Sequence, residues 1–291
     1  MTVKSDLLDI VESAVAMYGI PVVREIFLPD PHPSPDKNAE FGIVILEDGA
    51  AGLYYAWLGE AQSGMQGRFA VDEFKGVPAM QLVALYRSEH PADCSLGMAA
   101  INAISRSIYR RTAYTREAAS NSIGGLEFEQ NDHVGMIGYF PSLVRKLREQ
   151  KINLTVVEKK TKFLQQDDLF RVVLEPECLQ DCNKIISTAS TLLNNSIDDI
   201  LLHMQSATDV VVIGPTAGFF PDPLFARGVT AIGGTEIIDA DVAVARIRAD
   251  QRMGDASRKF LVHRNHYPGI QSLLKSGPVP DKRNSLVRKG S

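Results

Sequence analysis

Four short apolar runs in the second half of this 291-residue chain each end in glycine or alanine with hydroxyl side chains close by. The first closes as Gly135-Met136-Ile137-Gly138-Tyr139-Phe140-Pro141, and the second as Ser187-Thr188-Ala189-Ser190-Thr191, with Asn194 following. The third and fourth close as Gly214-Pro215-Thr216-Ala217 and Gly233-Gly234-Thr235. Backbone amides and hydroxyls in such a row bind a small polar ligand by hydrogen bonds, and a glycine before a helix start leaves N–H groups free for an anion. Glu158 stands 20 residues past Gly138, where dinucleotide-binding folds place an acid on a ribose. The glycine spacing is GxxG and not GxGxxG, and Tyr139-Phe140-Pro141 puts bulk where a pyrophosphate needs bare backbone. A plain glycine turn with a solvated acid therefore stays open beside the nucleotide reading.

Other chemistries are poorly supplied. Cys178 and Cys182 are four apart, but no second pair completes a zinc set, so they read as ordinary, partly buried cysteines. His263 and His266 lack the glutamate of an HExxH motif and read as surface histidines. There is no GxSxG elbow and no phosphate loop of the GxxxxGK[ST] type. Ser196 with Asp199 three residues later looks like a helix cap. Asn102, polar within the apolar stretch 96–103, either holds a backbone group or reaches a ligand. His133 and Glu158 are acid–base candidates by residue type only, so the sequence leaves enzyme or binding protein undecided.

These residues need a scaffold, and the patterning describes one. Leu7, Leu8, Val11, Ala14, Val15 and Tyr18 recur at helical spacing, with Gly19 in the C-cap position. A strand at 22–28, a proline-rich loop at 29–35, and a hairpin of 41–46 with 53–57 around Asp48-Gly49 follow. Helices are expected at 78–86 and 96–109, and a polar crossing at 116–132. Beyond it, strands at 134–137, 153–158, 184–188, 209–213 and 229–232 alternate with helices at 142–150, 196–206, 223–227 and 241–248. That alternation predicts a parallel sheet covered on both faces. The expected fold class is α/β, an N-terminal α+β domain (1–120), a C-terminal Rossmann-like parallel-sheet domain (121–250) and a C-terminal extension (251–291). In an open parallel sheet ligands bind outside the carboxyl ends of the strands, which is where the four glycine and hydroxyl segments fall.

Composition agrees with a folded, water-soluble chain: 45% apolar, 23% charged, net charge −4. No run suits a membrane span, the start is no signal peptide, and three cysteines fit a reducing compartment, so the expected location is cytoplasmic. The overall acidity argues against nucleic acid as a partner. Nine basic against three acidic residues give 250–291 a charge of +6, leaving −10 on 1–249. The basic stretch is expected to be an add-on that packs against the acidic body or a neighbouring subunit, and a homo-oligomer is one expectation.

In one order, the segments Leu96–Ala103, Val134–Pro141, Val157-Glu158, Thr188–Ser196, Gly214-Pro215-Thr216, Pro221–Phe225 and Gly233-Gly234-Thr235 resemble a family of uncharacterised bacterial and archaeal proteins described as "putative heavy-metal chelation". The resemblance covers about residues 5–248 and leaves the basic stretch outside. It implies an enolase-N-terminal-like α+β domain ahead of a Rossmann-like domain, with a site in the cleft between them. On that reading Asn102 and Gly97 face the cleft from the first domain, and Gly138, Tyr139, Phe140, Glu158, Thr188, Ser190, Asn194, Gly214, Thr216, Gly234 and Thr235 line it from the second. The expected occupant is a small-molecule ligand, a divalent metal or a metal chelate. The alternative is an enzyme using a nucleotide or S-adenosylmethionine in a non-standard Rossmann pocket.

Overall fold

Thr2 and Ser5 open the first helix by a reciprocal cap, the Ser5 amide donating to Thr2 Oγ1 at 3.1 Å and the Thr2 amide to Ser5 Oγ at 3.0 Å. Helix α1 (Val3–Tyr18) runs to Gly19 at φ +86° and buries Val3, Leu7, Leu8, Val11, Ala14 and Val15 on one face. The computed structural model describes residues 1–28, 41–55, 67–120, 123 and 125–277. The expectations placed on 29–35, on Trp57 and on 278–291 lie outside those residues.

A three-stranded antiparallel sheet follows, β1 (Val23–Phe27), β2 (Phe41–Leu46) and β3 (Ala51–Tyr55), in chain order. The β2–β3 turn forms as Asp48-Gly49 predicts: Asp48 Oδ1 accepts from the Ala50 amide at 2.9 Å, and Gly49 takes φ +79°. β3 begins two residues before the expected strand. Helix α2 (Met80–Leu85) leads to the 21-residue α3 (Pro91–Arg111), which starts five residues early because His90 caps it and Pro91 fits its first position. The small residues of α3 permit close approach. A Cβ on Gly52 of β3 would lie 2.1 Å from the Ala99 carbonyl oxygen, and one on Gly97 would lie 2.4 Å from the Tyr86 amide nitrogen.

The second half builds a nine-stranded sheet. Its strands are β4 (Glu117–Ala118), β5 (His133–Ile137), β6 (Asn153–Val157), β7 (Gln165–Gln166), β8 (Phe170–Val173), β9 (Lys184–Thr188), β10 (Asp209–Ile213), β11 (Ala231–Ile237) and β12 (Ser257–His263). Helices α4 (Pro141–Glu149), α5 (Ile197–Leu202), α6 (Asp222–Phe225), α7 (Ala240–Arg248) and α8 (Ile270–Lys275) connect or flank them. The spatial order is β4-β12-β11-β10-β9-β5-β6-β8-β7. Six central strands are parallel, and in chain order they read 3-2-1-4-5-6 from β8 to β11, the doubly wound arrangement. The fold is thus the expected α/β class, an α+β first half and a Rossmann-like sheet.

Two features correct the expected boundaries. Residues 251–291 were read as an extension, yet β12 pairs antiparallel with β11 over seven positions, and Phe260, Val262, Ile270, Leu273 and Leu274 are buried. The crossing at 116–132 supplies β4, which pairs with β12 and seats Arg116 in the interior. The two halves also share their largest apolar cluster, which runs from α1 and α3 to β9, β10, α5 and α8. Among the described residues no helix is long and apolar enough to cross a membrane.

Candidate functional site

β5 and β9 are parallel neighbours at the centre of the sheet, and the chain leaves them in opposite directions, β5 toward β6 and β9 toward β10. The crevice beyond their carboxyl ends is the topological switch point, where open α/β sheets bind ligands. Gly138 turns the chain out of β5 at φ +85°, its amide donating to the Val157 carbonyl at 2.9 Å. A Cβ on Gly138 would sit 3.1 Å from Thr188 Cγ2, and one on Gly214 would sit 3.5 Å from the Ala189 Cβ. Gly138, Thr188, Ala189 and Gly214 thus form a continuous row across the ends of β5, β9 and β10.

Glu158 joins this row through backbone. Its Oε2 accepts from the Tyr139 amide at 3.1 Å and its Oε1 from the Lys160 amide at 3.0 Å. Two backbone donors fix the half-buried carboxylate, which still has lone pairs for a further donor. The Tyr139 ring stacks on Phe163 at 4.7 Å with 14° between planes, and the Phe140 carbonyl starts α4 by accepting from the Leu143 and Val144 amides. Thr188 Oγ1 accepts from the Ser190 amide and donates to Ser190 Oγ, both at 3.2 Å, while Thr191 Oγ1 donates to the Thr188 carbonyl. Ser190 is half-buried beside Thr188. These local bonds hold the loop after β9 in one shape.

Other expected site residues sit elsewhere. Gly234 and Thr235 were taken as a strand end, but they lie inside β11, two strands from β9. A Cβ on Gly234 would come 2.5 Å from Phe260 Cζ, so this glycine makes room for a ring. Asn194 is exposed and its Oδ1 accepts from the Ser196 amide at 3.2 Å and hydroxyl at 2.6 Å. Ser196 therefore stands in the N-cap position ahead of α5 without capping it by its side chain, contrary to the capping expectation. Gly97 is packed under Tyr86 inside the first half. Asn102 is 3% exposed and its Nδ2 donates to the carbonyls of Leu53, at 3.0 Å, and Thr216, at 2.8 Å. It ties β3 to the loop after β10, while its Oδ1 is buried with no hydrogen-bond partner among the described residues. Thr216 is buried with it.

His133 lies at the amino end of β5, away from the crevice. Its Nε2 is 2.8 Å from Thr155 Oγ1 and its Nδ1 3.1 Å from the Asp181 carbonyl. Burial, then the nearby Arg171 charge, lowers its pKa below the usual histidine value. The donor set for a protein-only metal centre is also thin. Burial pushes the Cys182 thiol up to about 12, against the thiolate a metal needs. Among the described residues His266 Nδ1 meets only Glu117 Oε1, at 3.6 Å, with the His263 ring 5.8 Å away. Among the described residues no group of three or more His, Cys, Asp or Glu could hold a metal ion, so these residues do not form a resident metal site.

Sequence reasoning missed one cluster entirely. Glu236 of β11, with its side chain 1% exposed, is paired with Arg106 of α3, Arg116 ahead of β4 and Arg258 of β12. No local pattern announces it, because the four residues come from separate elements and Arg116 and Arg258 fell in segments read as crossing and tail.

Comparison with known proteins follows this architecture. An uncharacterised protein of Methanocaldococcus jannaschii is 27% identical over 170 residues, covering 57% of this chain and 64% of that protein's length. Two crystal structures of DUF364-family proteins of unknown function superpose on most of the chain. The one from Pyrococcus horikoshii has a TM-score of 0.64 at 22% identity, covering 88% of this chain and 99% of its own. The one from Desulfitobacterium hafniense has a TM-score of 0.62 at 18% identity, covering 89% and 98%. Two family models with the description "Putative heavy-metal chelation" match residues 39–105 and 122–265. The second reaches past β12, so the basic stretch is not foreign to the family pattern as far as residue 265. On this evidence of sequence and fold together, the chain belongs to the family described as "Putative heavy-metal chelation".

Proposed function

We propose that this protein binds a small polar ligand or a metal chelate in the crevice at the carboxyl ends of β5, β9 and β10, with Gly138, Tyr139, Glu158, Thr188, Ser190 and Gly214 around it. The observation that carries this reading is the row of Gly138, Thr188, Ala189 and Gly214 at the switch point of a 3-2-1-4-5-6 sheet. A metal arriving with its own small chelator suits a crevice of backbone and hydroxyl groups better than a bare ion does, since the chelator supplies the coordinating atoms. The test is calorimetric titration with divalent metals alone, with metal–chelate pairs and with nucleotides, beside native mass spectrometry of untagged protein from cells. Binding that falls about tenfold in Thr188→Val or Ser190→Ala supports the site, as loss of one hydrogen bond to a polar ligand predicts. Binding indifferent to both changes removes it.

A second reading, an enzyme holding a nucleotide or S-adenosylmethionine, is favoured by one observation. The two backbone amides at Glu158 orient a carboxylate at the end of β6, the position from which such folds hold a ribose. Nucleotide affinity that survives Glu158→Ala unchanged eliminates this reading.

A further inference from the structure

The charge balance around Glu236 does not close. Its Oε2 accepts from Arg116 Nη2 at 2.6 Å and Nε at 3.2 Å, and its Oε1 accepts from Arg258 Nε at 2.8 Å and also from Arg258 Nη2. Those four donors already match the roughly four lone-pair positions of a carboxylate. Arg106 adds an ion pair, its Nη1 3.1 Å from Oε2. Guanidinium groups stay protonated in proteins, so among the described residues three cations against one anion leave a formal charge of +2. The surplus is not in open water. The Arg116, Arg106 and Arg258 side chains are 3%, 18% and 36% exposed. Burial lowers the Arg106 pKa; Glu236 opposes the shift, while the Arg116, Arg110 and Arg258 charges add to it.

The three arginines differ in what they have left to give. Arg116 is used up: its Nη1 donates to the Gly218 carbonyl at 3.3 Å, and its guanidinium lies 3.7 Å from the Phe260 ring centre and 5.2 Å from that of Tyr109. It is the structural member, locked by a carboxylate, a carbonyl and two rings. Among the described residues Arg106 meets only Glu236, and Arg258 Nη1 has no hydrogen-bond partner. These two flank the carboxylate, Arg106 paired with Oε2 and Arg258 bonded to Oε1, and they are the two with solvent access.

We propose that Arg106 and Arg258 form an oxyanion site at the junction of α3, β11 and β12, and that it takes the dianionic phosphate group of a small molecule or inorganic phosphate itself. A phosphate dianion offsets the +2, and its several acceptor oxygens accept from two guanidinium groups at once. The site is distinct from the crevice at β5 and β9, and it does not depend on what binds there.

The test is thermal unfolding of the full chain at neutral pH and matched ionic strength in chloride, inorganic phosphate and methyl phosphate. The expected result is a midpoint at least about 2 °C higher in one or both phosphates than in chloride, as saturating a site on the folded state requires. Arg258→Gln and Arg106→Gln each abolish that increment, whereas Arg87→Gln, which breaks an exposed pair with Glu12, leaves it intact. If Arg106→Gln fails to fold, Arg258→Gln, at the exposed side, carries the test alone. A response to inorganic phosphate only identifies the free ion, and a response to the ester identifies a phosphorylated small molecule. Equal midpoints in all three salts, or an increment that persists in Arg258→Gln, overturn the proposal.

Discussion

Arg116 and Glu236 lie 120 residues apart in sequence and meet at 2.6 Å with side chains 3% and 1% exposed. The pair fastens the segment ahead of the edge strand β4 to β11, and Arg106 adds α3 of the first half to the same carboxylate. Buried charge is stable only while it is matched, and removing one partner of a buried pair costs about 3–5 kcal/mol because the other charge stays behind. Here Glu236→Ala leaves three guanidinium groups facing one another. The expected loss is at least that large, read from urea unfolding against the parent chain. A loss below about 1 kcal/mol contradicts the assignment of Glu236 as the centre of this junction.

The same carboxylate sets a pH limit. Burial pushes the Glu236 pKa up, but the Arg116 and Arg106 charges and the hydrogen bonds from Arg116 and Arg258 outweigh it and hold it below the usual glutamate value. Asp132 behaves alike: burial raises it, and the Glu129 amide, Lys184 and Asn183 bring it below the usual aspartate value. A carboxylate with a depressed folded-state pKa contributes stability that is present above its unfolded pKa and is lost as pH falls through the folded one. Asp222, raised by burial, has the opposite sign, and its contribution is present in acid and fades as pH rises. Stability is therefore expected to fall as pH drops below about 4.3, the unfolded glutamate value. Glu236→Gln is expected to flatten that limb while lowering stability at neutral pH. An acid limb of unchanged slope in Glu236→Gln counts against the sign argued here.

Legibility in the sequence followed the range of the interaction. β5, β6, β9 and β10 were readable because each is a short apolar run with a turn at its end, and α1 because its apolar residues repeat at helical spacing. The turn at Asp48-Gly49 was readable because two adjacent residues determine it. β8 and β12 were not. Phe170-Arg171-Val172-Val173 is only four residues long, and β12 opens with Ser257-Arg258-Lys259, so a local charge count hid a strand whose partner lies at 231–237. Gly234 misled for a related reason. A glycine that makes room for Phe260 looks, in sequence, like a glycine that makes a turn. The row formed by Gly138, Thr188 and Gly214 was legible because the strand-end rule depends on topology alone. The Arg106–Arg116–Arg258–Glu236 cluster was illegible because it exists only after four elements have met.

Glycine positions give a packing prediction with an internal control. A Cβ on Gly52 would come 2.1 Å from the Ala99 carbonyl oxygen, and one on Gly97 would come 2.4 Å from the Tyr86 amide nitrogen. Both neighbours are backbone and cannot rotate away. Gly52→Ala and Gly97→Ala are expected to cost about 1–3 kcal/mol or more, the range for overpacking a core. Among the described residues nothing lies within 4 Å of a Cβ on Gly67, and Gly67→Ala is expected to be neutral within about 0.5 kcal/mol. Chemical denaturation of the three variants decides the matter, and equal stabilities for all three refute the close α3–β3 and α3–Tyr86 contacts.

The basic C-terminal stretch supplies the last prediction. Ending the chain at Asp250 removes β12, the strand that pairs with Gly234–Ile237 beyond the last β10 partner of β11. It also removes Phe260, Val262, Ile270, Leu273 and Leu274, all buried, together with the Tyr267 hydroxyl and Ile270 amide that donate to Asp222. A fully buried side chain of this kind contributes about 1.5–3 kcal/mol. Five of them rival the about 5–15 kcal/mol that separates folded from unfolded in a whole domain. The bared edge of β11 would in addition template pairing with other chains. Truncation after Asp250 is therefore expected to abolish cooperative unfolding and drive the product into aggregates. A soluble, cooperatively melting 1–250 fragment would show that β12 is an accessory to the sheet and not a member of its core.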